Sequence, residues 1–129
     1  MGDNVNATSQ ALRGYADNSV STRSDRRREY DVIARVTQEL RDGAVQRKTN
    51  FGFFAEALHR NQRLWTALVV DIADVENPLP KELKARIVYL AEFTSQHTGK
   101  VLRENASVMP LLEINMAVLR GLKHEGTAT

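Results

Sequence analysis

Cysteine is absent from the 129-residue chain. Disulfide frameworks, thiolate zinc sites, iron–sulfur clusters and cysteine nucleophiles are therefore excluded. The absence accords with a reducing compartment without demanding one. Aromatic residues make up only 6%, so aliphatic side chains must carry any core. No unbroken apolar run exceeds five residues, Ile87 to Ala91, with Ala67 to Val70 a further run of four, against the roughly 20 that a membrane-spanning helix needs. No basic segment followed by an apolar stretch opens the sequence, so no secretory signal is read there. Met1-Gly2 lacks the Ser or Thr at residue 6 that a myristoylation pattern wants; that residue is Asn6. These absences together predict a soluble, cytoplasmic protein without membrane contact. The seven glycines are scattered and form no phosphate-cradling loop, and no serine lies in a nucleophile elbow. Enzyme is the disfavoured class.

What is present is ordinary for a globular domain. Hydrophobic residues account for 42% and charged residues for 26% of a 14.5 kDa chain, close to average usage. A single domain with its own core is the natural reading at this length. Eighteen basic and sixteen acidic residues leave a net charge of +2, too small by itself to identify a nucleic-acid partner.

Residues 1–24 are rich in Asn, Ser, Thr, Asp and Gly, and their apolar members Val5, Leu12, Tyr15 and Val20 keep no period; this segment reads as a flexible N-terminal arm. Residues 25–124 read as an all-α domain, a small bundle of about four helices. The first begins at Asp25, which can cap it. Tyr30, Ile33, Thr37, Leu40 and Ala44 share one face, and Gly43 with Gln46–Thr49 marks the end. Thr49 or Asn50 can cap a second helix from Phe51 to Ala73. Phe54, Leu58, Asn61, Trp65, Leu68 and Ile72 form its seam in alternating steps of four and three. Asn61 is the one polar residue there, either satisfied locally or setting register against another helix.

Pro78 and Pro80 break the chain, and Pro80 suits the start of a third helix that runs to Arg103. Its stripe is Leu83, Ile87, Leu90, Thr94, His97 and Val101, widened by Phe93. Ser107 can cap a fourth helix with Pro110 tolerated in the first turn, its face Leu111, Asn115, Val118, Leu119 and Leu122. Gly126 and the small residues after it read as frayed. No alternating strand pattern of useful length occurs.

The candidate chemistry is thin. Glu56 and His59 make half of a di-iron carboxylate motif, but no second Glu-x-x-His follows, so no metal and no cofactor is expected. Asp71, Asp74 and Glu76 lie at a helix C-terminus, where the macrodipole disfavours negative charge; they fit a salt-bridged loop or a partner's cation. Residues 23–63 hold ten basic against six acidic residues. Arg23, Arg26, Arg27, Arg28 and Arg35 are the candidate phosphate contacts, although acids are interleaved and no stacking platform or RNA-binding signature accompanies them. Nucleic acid is the less favoured partner. The apolar residues Leu64, Trp65, Leu68, Val69 and Ile72 exceed what one neighbouring helix needs to cover, which predicts a groove for a partner's amphipathic helix.

Several blocks carry a family resemblance. They are Ala34–Thr37, Ala57–Trp65, Asp71–Asp74, Glu76–Pro80, Leu112–Asn115 and Arg120–Leu122. Arg63-Leu64-Trp65 followed by Asn77-Pro78-Leu79-Pro80 is the most specific portion. Over about Glu29 to Leu122 the sequence resembles the flagellar biosynthesis regulator FlaF family. The resemblance implies a small cytoplasmic helical protein that promotes flagellin synthesis or export, opposes the flagellin-repressing regulator FlbT, and binds flagellin in a chaperone-like way. It supplies no catalytic residue, cofactor or binding set to transfer. The candidate partner-binding residues therefore come from the local reading: Leu64, Trp65, Leu68, Val69, Asp71, Ile72, Glu76, Asn77 and Leu79.

Two function classes remain beside a homodimeric scaffold: a flagellin-binding adaptor using that face, and a post-transcriptional regulator contacting flagellin messenger RNA through the arginines. Other flagellar regulators are further candidate partners, and the patterns leave oligomeric state open. The groove reading makes a sharp forecast for Leu68→Asp: flagellin co-purification is lost while helicity, followed by circular dichroism, stays intact.

Overall fold

The computed structural model describes residues 22–128, with side-chain surroundings given for 27–123. Four helices follow one another: α1 Thr22–Val45, α2 Phe51–Ile72, α3 Lys81–Glu104 and α4 Met109–Ala128. No strand occurs among the described residues, so the all-α four-helix expectation holds. α1 packs against α2 and α4, α2 against α3, and α3 and α4 touch each other least. This is an up-down-up-down arrangement in which sequential helices are neighbours.

The boundaries follow local chemistry. Asn50 caps α2, its Oδ1 accepting from the Phe53 amide at 3.2 Å. Ser107 Oγ accepts from the Met109 amide at 3.1 Å at the start of α4, and Pro110 sits in that first turn, where a missing N–H costs nothing. α3 ends at Asn105, whose left-handed backbone (φ 57°, ψ 32°) is tolerable for asparagine. Two expected edges move. α1 begins three residues before Asp25, because neither glycine nor proline opposes it there, so residues 22–24 belong to the helix rather than to an arm. The remainder of the expected arm lies outside the described residues. At the other end Gly126 does not stop α4, which continues to Ala128; a helical glycine costs only about 1 kcal/mol.

The core divides into two apolar clusters. Leu40, Phe54, Ala57, Leu58, Val101, Val108, Leu111 and Leu112 form one, around the α1–α2 and α3–α4 connections. Ile33, Leu64, Trp65 and Leu68 form the other, at the opposite end. Between them lies a polar layer to which every helix contributes: Thr37, Asn61, Thr94 with Thr98, and Asn115, all buried. Asn115 organises it. Its Nδ2 donates to Asn61 Oδ1 at 2.7 Å and to Thr37 Oγ1 at 3.1 Å, and its Oδ1 accepts from Trp65 Nε1 at 3.0 Å. Thr37 passes the chain on by donating to the Ile33 carbonyl at 2.7 Å.

Two further residues fix the helix geometry. Gly43 is buried inside α1, and a Cβ added there would stand 3.1 Å from the Phe54 Cα, so the missing side chain permits the close α1–α2 approach. Arg47, just past α1, donates to the carbonyls of Val101 at 2.8 Å and Ala106 at 3.0 Å while lying 4.9 Å from the Phe54 ring centroid. It thereby satisfies a helix-end carbonyl of α3 and ties that end to the α1–α2 connection.

Replacing Asn115 by Ala strands the Trp65 indole N–H and the Asn61 carbonyl in the interior. A loss of about 3 kcal/mol is expected in urea denaturation, since each unsatisfied buried group costs roughly 1–3 kcal/mol. The exposed control Gln38→Ala should stay within about 0.5 kcal/mol. A loss below about 1 kcal/mol for Asn115→Ala would show that the layer contributes little.

Candidate functional site

The residues proposed for a partner groove on α2 do not form an open surface. Leu64, Trp65, Leu68 and Ile72 are interior, Leu68 at only 9% exposure, and Val69 is half-buried. The second face of the stripe is occupied within the chain, because α2 lies against both α1 and α3. The expected behaviour of Leu68→Asp changes accordingly: the substitution puts a carboxylate into the core, and helicity falls along with any binding.

The corner after α2 is built for geometry. Asn77 is buried, its Nδ2 donating to the Asp71 carbonyl oxygen at 3.3 Å and to Asp71 Oδ2 at 3.2 Å, while its Oδ1 accepts from the Leu79 amide at 3.0 Å. Asp71 is itself buried. Asp74 Oδ1 accepts from the Glu76 amide at 2.9 Å, an Asx turn that tightens the exit from the helix. Asp71 and Asn77 therefore hold the link into α3. Glu76 remains exposed and Leu79 half-buried.

The arginines are dispersed along α1. Arg27, Arg28 and Arg35 are exposed, and the side chains of Arg23 and Arg26 lie outside those described. Glu56, the carboxylate of the half metal motif, approaches Arg60 at 3.6 Å, and Arg60 also pairs with Glu39 at 2.9 Å. Among the described residues no group of three or more metal-binding side chains gathers.

Apolar side chains reach the surface near the α1–α2 and α3–α4 connections, as exposed Val45, Phe51 and Met109, and as a half-covered stripe at the end of the bundle around Trp65. Ile87, Leu90 and Ala91 of α3 and Ile114, Val118, Leu119 and Leu122 of α4 all pack on the Ile33–Leu64–Trp65–Leu68 cluster, yet each remains only half-buried. In α3 the buried residues are Thr94, Thr98 and Val101, all in its C-terminal half. Its N-terminal half adds the exposed Val88 and Tyr89. Because α3 and α4 contact each other least, neither covers the other here. The stripes of both helices are visible in the sequence as apolar faces. Their incomplete covering depends on how far apart the two helices stand, which no local pattern encodes.

No helix among the described residues is long and apolar enough to cross a membrane. No curated protein and no solved structure matches the chain. The family model for flagellar protein FlaF matches residues 11–122. The matched stretch reaches into all four helices and starts inside the segment set apart above as an arm. On that coverage the chain belongs to the FlaF family of flagellar proteins.

Proposed function

We propose that this protein promotes flagellin synthesis or export in the cytoplasm as a non-catalytic, chaperone-like adaptor that binds flagellin subunits. The observation that carries the reading is the FlaF family match over residues 11–122. The geometry supports it with a receiving surface at the Trp65 end, where the α3 and α4 stripes are half-covered. An amphipathic helix of flagellin laid along Ile87, Leu90, Val118 and Leu122 completes the burial that the two helices leave unfinished. Binding of this kind is driven by removal of apolar area from water, and it keeps an assembly-prone helix out of contact with other subunits.

Calorimetry of the full chain with monomeric flagellin tests the proposal. Association with a negative heat-capacity change is expected, the mark of apolar burial. The double substitution Ile87→Lys/Leu122→Lys should weaken it at least about tenfold, or ~1.4 kcal/mol, while circular dichroism shows the helices retained. If the unaltered chain fails to bind, the flagellin reading falls. If the double variant binds unchanged, the adaptor stands and this end of the bundle is not its docking surface.

A further inference from the structure

A cleft of about 350 Å³ runs between α1 and α4, lined by Tyr30, Ala34, Thr37 and Gln38 along with Arg41, Met116, Leu119, Arg120 and Lys123. Its composition is one-sided. Three cations stand over a floor of Ala34, Met116 and Leu119, and no carboxylate lines it. Among the described residues, Arg41, Arg120 and Lys123 have no carboxylate within pairing distance. Arg41 Nη2 rests 3.4 Å from Met116 Sδ, a weak acceptor that leaves most of the guanidinium's donors open. The neighbouring Asp42 is engaged by Gln38, whose Nε2 donates to its Oδ1 at 2.9 Å.

Uncompensated cations beside an apolar floor call for a ligand that supplies both negative charge and hydrocarbon. A small inorganic anion would satisfy the charges and leave Met116 and Leu119 uncovered. We infer that the α1–α4 cleft is a docking site for an acidic amphipathic helical segment of the partner protein. Its carboxylates would lie on Arg41, Arg120 and Lys123, with its apolar side chains on the Met116–Leu119 floor. Arg120 and Lys123 are three residues apart on α4 and so share a face. They select acids spaced one helical turn apart in the partner. The inference rests on the flagellin reading for the identity of that partner and adds a second, electrostatic contact on the other side of α4 from Ile87 and Leu90. Complementary charge of this kind sets orientation and accelerates encounter more than it adds raw affinity.

The test compares the full chain with Arg41→Glu/Arg120→Glu/Lys123→Glu and with the charge-matched control Arg63→Glu/Arg86→Glu/Lys100→Glu. All six positions are exposed, so both variants should keep their helices. Monomeric flagellin is titrated against each at low and high salt. The cleft variant should bind about tenfold more weakly or worse at low salt and lose its salt dependence, while the control stays within about threefold of the unaltered chain. No binding by the unaltered chain overturns the flagellin reading and this site with it. Binding that the cleft variant retains, or loses no more than the control does, overturns the cleft alone. Polyuridylate is titrated in parallel. If it binds the unaltered chain, displaces flagellin and is lost from the cleft variant only, the cleft is a phosphate site and the proposal is wrong.

Discussion

The Asn115 amide is the interaction on which the rest of the bundle depends. Three of its hydrogen-bonding positions are used, each toward a different side chain, and together they join α4 to α1 through Thr37 and to α2 through Asn61 and Trp65. A buried amide of this kind contributes little net free energy when satisfied, but an alternative packing that leaves it unpaired is heavily penalised. The apolar seams alone would tolerate a helix slid by one turn, since one leucine resembles another. The amide would not, because a slide of one turn carries Asn115 away from Asn61 Oδ1 and the Trp65 indole together. Specificity of register is thus concentrated in one layer.

That layer also separates two ends of different character. At the end near the α1–α2 and α3–α4 connections Leu40, Phe54, Leu58 and Leu111 are fully buried and Arg47 bolts α3 to the α1–α2 connection, while Val45, Phe51 and Met109 stand exposed around them. The other end holds Trp65 and Leu64 in its interior but is covered by half-exposed side chains of α3 and α4. Local opening is expected to favour the end with fewer buried contacts. On the proposed adaptor reading such an asymmetry is useful: one half supplies the stability, and the other can adjust to a docked helix without unfolding the whole.

Most of the helical scaffold was legible in the residues. The four-three spacing of Phe54, Leu58, Asn61, Trp65 and Leu68 found the buried seam of α2, and Asn50 and Ser107 announced the helix starts because capping is a local interaction. Asn61 and Asn115 stood out as lone polar residues inside apolar stripes, but nothing local could say that they bond each other across 54 positions. Gly43 and Arg47 read as a helix end for the same reason; their roles depend on Phe54, Val101 and Ala106, which only folding brings near. The candidate site was less legible. Leu64 and Leu68 look surplus when α2 is viewed against one neighbour, and they are consumed once a second neighbour is counted. Asn77 looked like part of a binding corner, and its amide turns inward to Asp71 instead.

Trp65 is the only tryptophan in the chain, and it occupies an informative place. Its indole donates to the organising amide on one edge and packs with Leu64, Leu68 and Ile33 beside the half-covered end on the other. An indole in dry, hydrogen-bonded surroundings emits at shorter wavelength than one in water. The molecule therefore carries a single indole fluorophore, excitable apart from its three tyrosines, beside its register-setting layer and its half-covered end. Its colour follows the integrity of the bundle, and its accessibility to a quencher follows whatever comes to cover that end, with no label attached.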